Sequence, residues 1–216
     1  MNLSHRLKTE TESLHRLAER HEMQRDLMRG RLDRPRYRRF LEQLYFFHTG
    51  LDMAWSALAV SKRMVFPTPG TLRHALLADL QQMGSMPDAI SIGASASQYI
   101  TELLEADTAA VVGARYVFEG ACNGGVFIAR AMEKGYGRDC PPHQHLLPYG
   151  DSQRQVWMGF RSGLDRLRLT DAENEAVVEG AQRTFRSFIL LMEEVVGFDA
   201  LFRRSPVAME GMNYGV

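Results

Sequence analysis

Residues 109–132 read AAVVGARYVFEGACNGGVFIARAM, a good helix-forming stretch interrupted by Gly120, Gly124 and Gly125. Each glycine inside a helix costs about 0.5–1 kcal/mol relative to alanine. Three so close together need a reason. Positions three to four apart share a helix face, so Gly120 and Gly124 strip the side chains from one surface of one helix. A bare backbone admits a tightly packed second helix, or it admits something flat. The stretch by itself leaves both open.

Outward from this stretch the chain is punctuated by glycine and proline into further helices. Asp33 is placed to cap a helix with Pro35 in its first turn, and Tyr37, Phe40, Leu41, Leu44, His48, Leu51, Trp55 and Leu58 then recur every three or four residues. His48 lies on that apolar face, where a core role is the default. Another helix carries Leu72, Leu76, Leu77, Leu80 and Met83, and Ser97–Glu105 forms one with Ile100, Leu103 and Leu104 inward. A loop with three prolines and two histidines runs from Gly135 to Gly150. Val156, Phe160, Leu164 and Leu167 mark a penultimate helix. Thr170 and Glu173 form a capping box that opens the last one, whose inner face is Val177, Ala181, Phe185, Phe188 and Met192, with Gly197 expected to stop it in the left-handed conformation. No run alternates as a strand does. The expectation is an all-α fold with one domain over residues 1–200 and a tail over 201–216.

Upstream, Leu7–Glu19 reads LKTETESLHRLAE. Leu3, Leu7, Leu14 and Ala18 make one helical stripe, with Ser4 expected as its N-cap. His15 borders the stripe, with Thr11 one turn before it and Glu19 one turn after. A histidine that ligates a metal usually hands its other ring N–H to a carboxylate or carbonyl, which fixes the tautomer and raises basicity. Glu19 is placed to take it. The same two residues also read as an ordinary surface pair worth a few tenths of a kcal/mol.

Taken together, the pattern L-K-x-x-T-x-x-x-H-x-x-A-E and the glycine-rich helix about a hundred residues later resemble the heme oxygenase family. The wording from Tyr116 to Gly125, and the later Tyr149-Gly150, Trp157 and Phe160-Arg161, resemble its bacterial branch that accompanies bilin photoreceptors. The resemblance covers nearly the whole chain. It implies a helical bundle holding heme between a proximal helix and a glycine-kinked distal helix. His15 would be the axial ligand of the iron with Glu19 behind it. Gly120 and Gly124 would cover the distal face, Tyr116 and Phe160 would help bind the heme, and Arg161 would pair with a propionate. The implied reaction cleaves heme b, substrate and cofactor at once, to biliverdin, CO and ferrous iron, using O2 and electrons from an external reductase or ferredoxin. The implied partners are that electron-donor protein and a bilin-accepting protein.

Such chemistry needs an open position on the iron for O2, which the protein controls through the axial ligand, distal hydrogen bonds and steric access. In the mammalian enzymes an aspartate follows the first glycine and organises distal water; here Ala121 stands there. Asn123 occupies a position where the bacterial branch tends to have leucine. Asn123 either supplies a distal polar group or spoils the pocket, which would leave a non-catalytic heme carrier or sensor.

Composition excludes little else. The 26 basic and 26 acidic residues among 216 leave no net field to draw nucleic acid or an anionic membrane. Cys122 and Cys140 have no metal spacing, and two cysteines in a chain this long suggest a reducing compartment. His143 and His145 lack a third ligand nearby. No run approaches the length of a membrane span, and the expected location is cytoplasmic. The arginines between Arg29 and Arg39 read equally as a docking surface or as a solvated helix end.

Overall fold

The computed structural model describes residues 2–58 and 70–202. Pro67, Pro69, Pro206 and nearly all of the expected tail lie outside them. The described residues form eight α-helices and no strand: α1 (Leu3–Glu19), α2 (Glu22–Met28), α3 (Arg34–Ser56), α4 (Thr71–Gln82), α5 (Ala94–Glu105), α6 (Thr108–Tyr136), α7 (Gln153–Arg166) and α8 (Asp171–Phe202). The fold is all-α, as the periodicity predicts.

Helix ends follow local chemistry, with two departures. Asp33 accepts from Arg36 N–H at 2.8 Å. In the capping box Glu173 N–H donates to Thr170 Oγ1 at 3.2 Å, and the Glu173 carboxylate accepts from Thr170 N–H at 2.9 Å. Ser4, however, is not the cap of α1. Asn2 in extended backbone takes that place, and the buried Ser4 donates its N–H and its hydroxyl to Asp165 of α7, both at 2.9 Å. Gly197 does not stop α8, which continues to Phe202. Met192 and Val195 carry the buried face almost to that glycine, and packing of this kind outweighs the roughly 1 kcal/mol that one interior glycine costs. The short α2 has too few apolar positions to show a period. His21 Nδ1 caps it by accepting from Met23 N–H, and Met23 and Leu27 are buried.

α3 supplies much of the core through Tyr37, Phe40, Leu41, Phe47, Leu51 and Trp55. In α5 the inner face is Ala96, Tyr99 and Leu103. Leu104, expected inward, is exposed, because the face turns with Tyr99 stacked on Phe47 at 4.2 Å. α8 lies along both α1 and α6. It crosses α6 antiparallel where two glycines meet: a Cβ on Gly113 would run into the Val177 carbonyl, and one on Gly180 into the Ala110 carbonyl. Two arginines of α3 pair within or just before their own helix, Arg36 3.5 Å from Asp33 and Arg38 3.8 Å from Glu42, whereas Arg39 reaches out to the Ser91 carbonyl and lies 3.7 Å from Glu194 of α8.

Candidate functional site

The glycines of α6 divide by what stands before them. Gly125 packs on backbone, and a Cβ there would strike the Leu146 carbonyl. Gly120 faces only a side chain: a Cβ there would lie 3.3 Å from Cη2 of Trp157. At Gly124 an added Cβ would meet nothing within 4 Å. Tight packing therefore explains Gly113 and Gly125 but not Gly124. The half-buried Asn123 stands beside it, and its side chain has no hydrogen-bond partner among the described residues. One turn further on the same side, Phe127 is 73% exposed.

Trp157 belongs to an aromatic group drawn from α6 and α7. Its ring lies 5.5 Å from Tyr116 and stacks on the buried Phe160 at 6.0 Å, the planes 11° apart. Arg161, one turn after Trp157, is exposed. Burial pushes the Tyr116 hydroxyl pKa up, and the Arg161 cation draws it partly back, so the two lie within electrostatic reach.

His15 stands on α1 in a second group. Its side chain is 56% exposed, Nδ1 lies 3.6 Å from Glu19 Oε2, and the ring meets Phe185 of α8 edge-on at 5.8 Å. That gap to Glu19 is an ion-pair separation, too long for a hydrogen bond. The structure thus brings Tyr116, Gly120, Trp157, Phe160 and Arg161 together, and sets His15 and Glu19 apart from them on α1. α8 packs against both carrying helices, and Asp165 ties α7 to the start of α1.

The family model for heme oxygenase matches residues 1–194. The chain belongs to the heme oxygenase family. Among solved structures it resembles the heme oxygenase of Leptospira interrogans, with 21% identity, a TM-score of 0.77, and coverage of 90% of this chain and 100% of that one. It also resembles heme oxygenase-1 of the cyanobacterium Synechocystis in complex with heme, with 16% identity, a TM-score of 0.75 and coverage of 94% and 98%. A TenA homologue of Pyrococcus furiosus shares the fold at 13% identity and a TM-score of 0.70, covering 89% and 99%. At such identities these likenesses establish architecture alone. No curated protein matches the chain.

The residues fit what a heme oxygenase must hold. A flat porphyrin requires a helix face without side chains, and Gly124 provides one that no other part of the described protein fills. An axial ligand requires an accessible imidazole, which His15 has. A carboxylate at the heme rim requires a cation at the surface, as Arg161 is.

Sequence reasoning missed what lies behind the glycines. Glu119 is buried and ion-paired with Arg115 at 2.7 Å, both 1% exposed, and Tyr149 Oη donates to both its carboxylate oxygens at 3.0 Å. Burial raises the Glu119 pKa, against the pull of Arg115 and Tyr149. Gln153 Nε2 donates to the Cys122 and Leu146 carbonyls. Glu119, Cys122 and Gly125 thus bind the back of the glycine segment to residues 146–153. A Glu inside an apolar run four residues after an Arg was the available signal. His145 is likewise structural: its Nδ1 meets the fully buried Asp79 at 2.7 Å. No group of three metal-ligating side chains occurs among the described residues, and no helix there is long and apolar enough to cross a membrane.

Proposed function

We propose that this chain binds heme b through His15 and cleaves it to biliverdin, CO and ferrous iron, with O2 and electrons from an external reductase or ferredoxin. The observation that carries the reading is the open backbone at Gly124, a helix glycine for which packing gives no reason. Heme, when bound, supplies the iron that takes O2 and the porphyrin carbon that is oxidised. The protein's residues do the rest. His15 turns Nδ1 toward Glu19. With the ring proton on that side, the Nε2 lone pair is left for the iron. Gly124 allows backbone to approach the ring, Gly120 beside it seats the Trp157 indole at the edge of that surface, and the Asn123 amide holds water on the distal side. Arg161 pairs with a propionate by a charge-assisted bond, with Tyr116 and Phe160 beside it. The wording of the Tyr116–Gly125 segment supports a bilin-accepting protein as the recipient of the product.

The test is a titration of the full chain with ferric heme, followed by turnover with ascorbate in air and catalase present. Saturation near one equivalent, loss of the histidine-type Soret spectrum in His15→Ala with recovery on adding imidazole, and release of a bilin are expected. An unchanged spectrum in His15→Ala overturns the axial assignment. Heme that binds but persists under reductant and O2 makes the protein a carrier or sensor. Asn123→Leu then decides the asparagine's part. Losing a hydrogen bond of about 1.5–3 kcal/mol slows turnover by about ten- to hundredfold if the bond forms only in the transition state. Faster turnover in Asn123→Leu would make the asparagine a spoiler.

A further inference from the structure

On the heme-binding reading above, we infer that Trp157 is a specificity-determining residue: its indole walls off the Gly120 half of the distal surface and confines the porphyrin to the Gly124 half, selecting the ring edge that is attacked. Gly120 and Gly124 share a face, yet only one of them is open. An added Cβ at Gly120 meets Cη2, Cζ3 and Cζ2 of the indole at 3.3, 3.7 and 3.9 Å, so the benzo edge of the ring rests on bare backbone. The glycine at 120 makes room for this chain's own tryptophan, and the glycine at 124 leaves room for something else.

The wall is held in place. Phe160 is buried and stacks on the indole with the planes 11° apart, so the ring cannot withdraw toward the core. Tyr116 flanks it at 5.5 Å. Gln153, one turn earlier on α7 and itself buried, bonds the Cys122 and Leu146 carbonyls and fixes the register of α7 against α6. Arg161 follows Trp157 by four residues, about 6 Å along the helix at 1.5 Å per residue. One rigid helix therefore presents an edge stop and a carboxylate anchor side by side. The four meso carbons of heme b differ in the methyl, vinyl and propionate groups that flank them, so which one is attacked depends on how the ring is rotated in its plane. An anchor alone tolerates rotation about itself, whereas an anchor with a stop one turn away defines the rotation.

The experiment uses the full chain loaded with ferric heme. Proton NMR of the cyanide complex gives the pattern of hyperfine-shifted heme methyls, which reports in-plane orientation without turnover, and chromatography gives the biliverdin isomer ratio. Trp157→Ala should change the methyl pattern and move the isomer ratio by about two- to tenfold, the range an aromatic contact supplies. Trp157→Phe should do so less, and guards against a variant that fails to fold. Gly120→Ala, which presses on the indole, should shift the methyl pattern in the Trp157 background and much less in Trp157→Ala, since residues in contact couple. The same methyl pattern and isomer ratio in wild type and Trp157→Ala, with heme bound in both, overturn the inference while leaving the proposed function intact. A wild-type chain that binds no heme overturns both.

Discussion

Gly113 and Gly124 lie on nearly the same side of α6, eleven residues or about three turns apart, and they do opposite things. At Gly113 the missing side chain is replaced by the backbone of α8, in contact with the Val177 carbonyl. At Gly124 nothing within 4 Å replaces it. Gly120, between them, is covered by one indole. A single stripe thus passes from a sealed helix crossing, through an aromatic wall, to open backbone. The back of the helix differs again, with a buried ion pair at Glu119 and hydrogen bonds to the carbonyls of Cys122 and Leu146. The same residue type serves packing at one end and access at the other. Only the neighbouring elements decide which.

The contrast between front and back breaks most visibly at Glu119. Glu119→Leu removes the 2.7 Å partner of the buried Arg115, which keeps Asp52 at 3.9 Å. Removing one partner of such a pair costs about 3–5 kcal/mol. Asn123→Ala on the front, without a protein partner, should change stability by less than about 0.5 kcal/mol. Urea unfolding of the heme-free chain measures both. Equal losses would mean that the two faces are held alike.

The next effect is at the sealed end of the stripe. Gly113→Ala forces a Cβ into the Val177 carbonyl, and overpacking of this kind costs about 1–3 kcal/mol. Gly180→Ala should cost a similar amount, because its Cβ meets the Ala110 carbonyl across the same crossing. The double variant should lose less than the sum, since one separation of α6 from α8 relieves both.

The sequence shows the helices well and their partners poorly. Apolar period and capping residues locate every long helix, because those signals lie within one element: Asp33, Thr170 and Glu173 act at a distance of three residues. Ser4 misleads because its real partner, Asp165, is 161 residues away. Gly197 misleads because burial up to Val195 overrides a local stop. For the candidate site, family wording points to His15, Gly120, Gly124 and Arg161, but spacing cannot say which glycine is open. Neither Trp157 over Gly120 nor Tyr149 on Glu119 leaves any trace in local pattern, since each joins elements whose relative placement the whole fold determines.

A third test probes the back of α6 by pH. His48 is buried with its ring 4.4 Å from Phe118 of α6, and burial, aided by the Arg115, His145 and Arg73 charges, lowers its pKa to about 3. The unfolded chain takes up this proton near the ordinary 6.5, and the folded chain does not. Stability is therefore full above that value and falls as pH drops toward 3, by about 1.4 kcal/mol per unit. Between pH 8 and pH 5 the loss should be about 2 kcal/mol. His48→Leu should flatten this part of the unfolding profile. An unchanged slope would show that other groups cause it.

The smallest effect is the most discriminating, because it carries the opposite sign. Gly124→Ala adds a methyl group where no protein atom lies within 4 Å and removes the helix cost of glycine. The heme-free protein should gain about 0.5–1 kcal/mol in stability. Heme affinity should fall, because the methyl stands where the ring is proposed to lie. A stabilised protein that binds heme more weakly separates the open end of the stripe from Gly113, where the same exchange destabilises. A destabilised Gly124→Ala would mean that the surface is sealed in solution, and the contrast along α6 would collapse. A stabilised variant with unchanged heme affinity would keep the open surface and move the ligand away from it. The sign of the stability change thus tests the packing, and the sign of the affinity change tests the site.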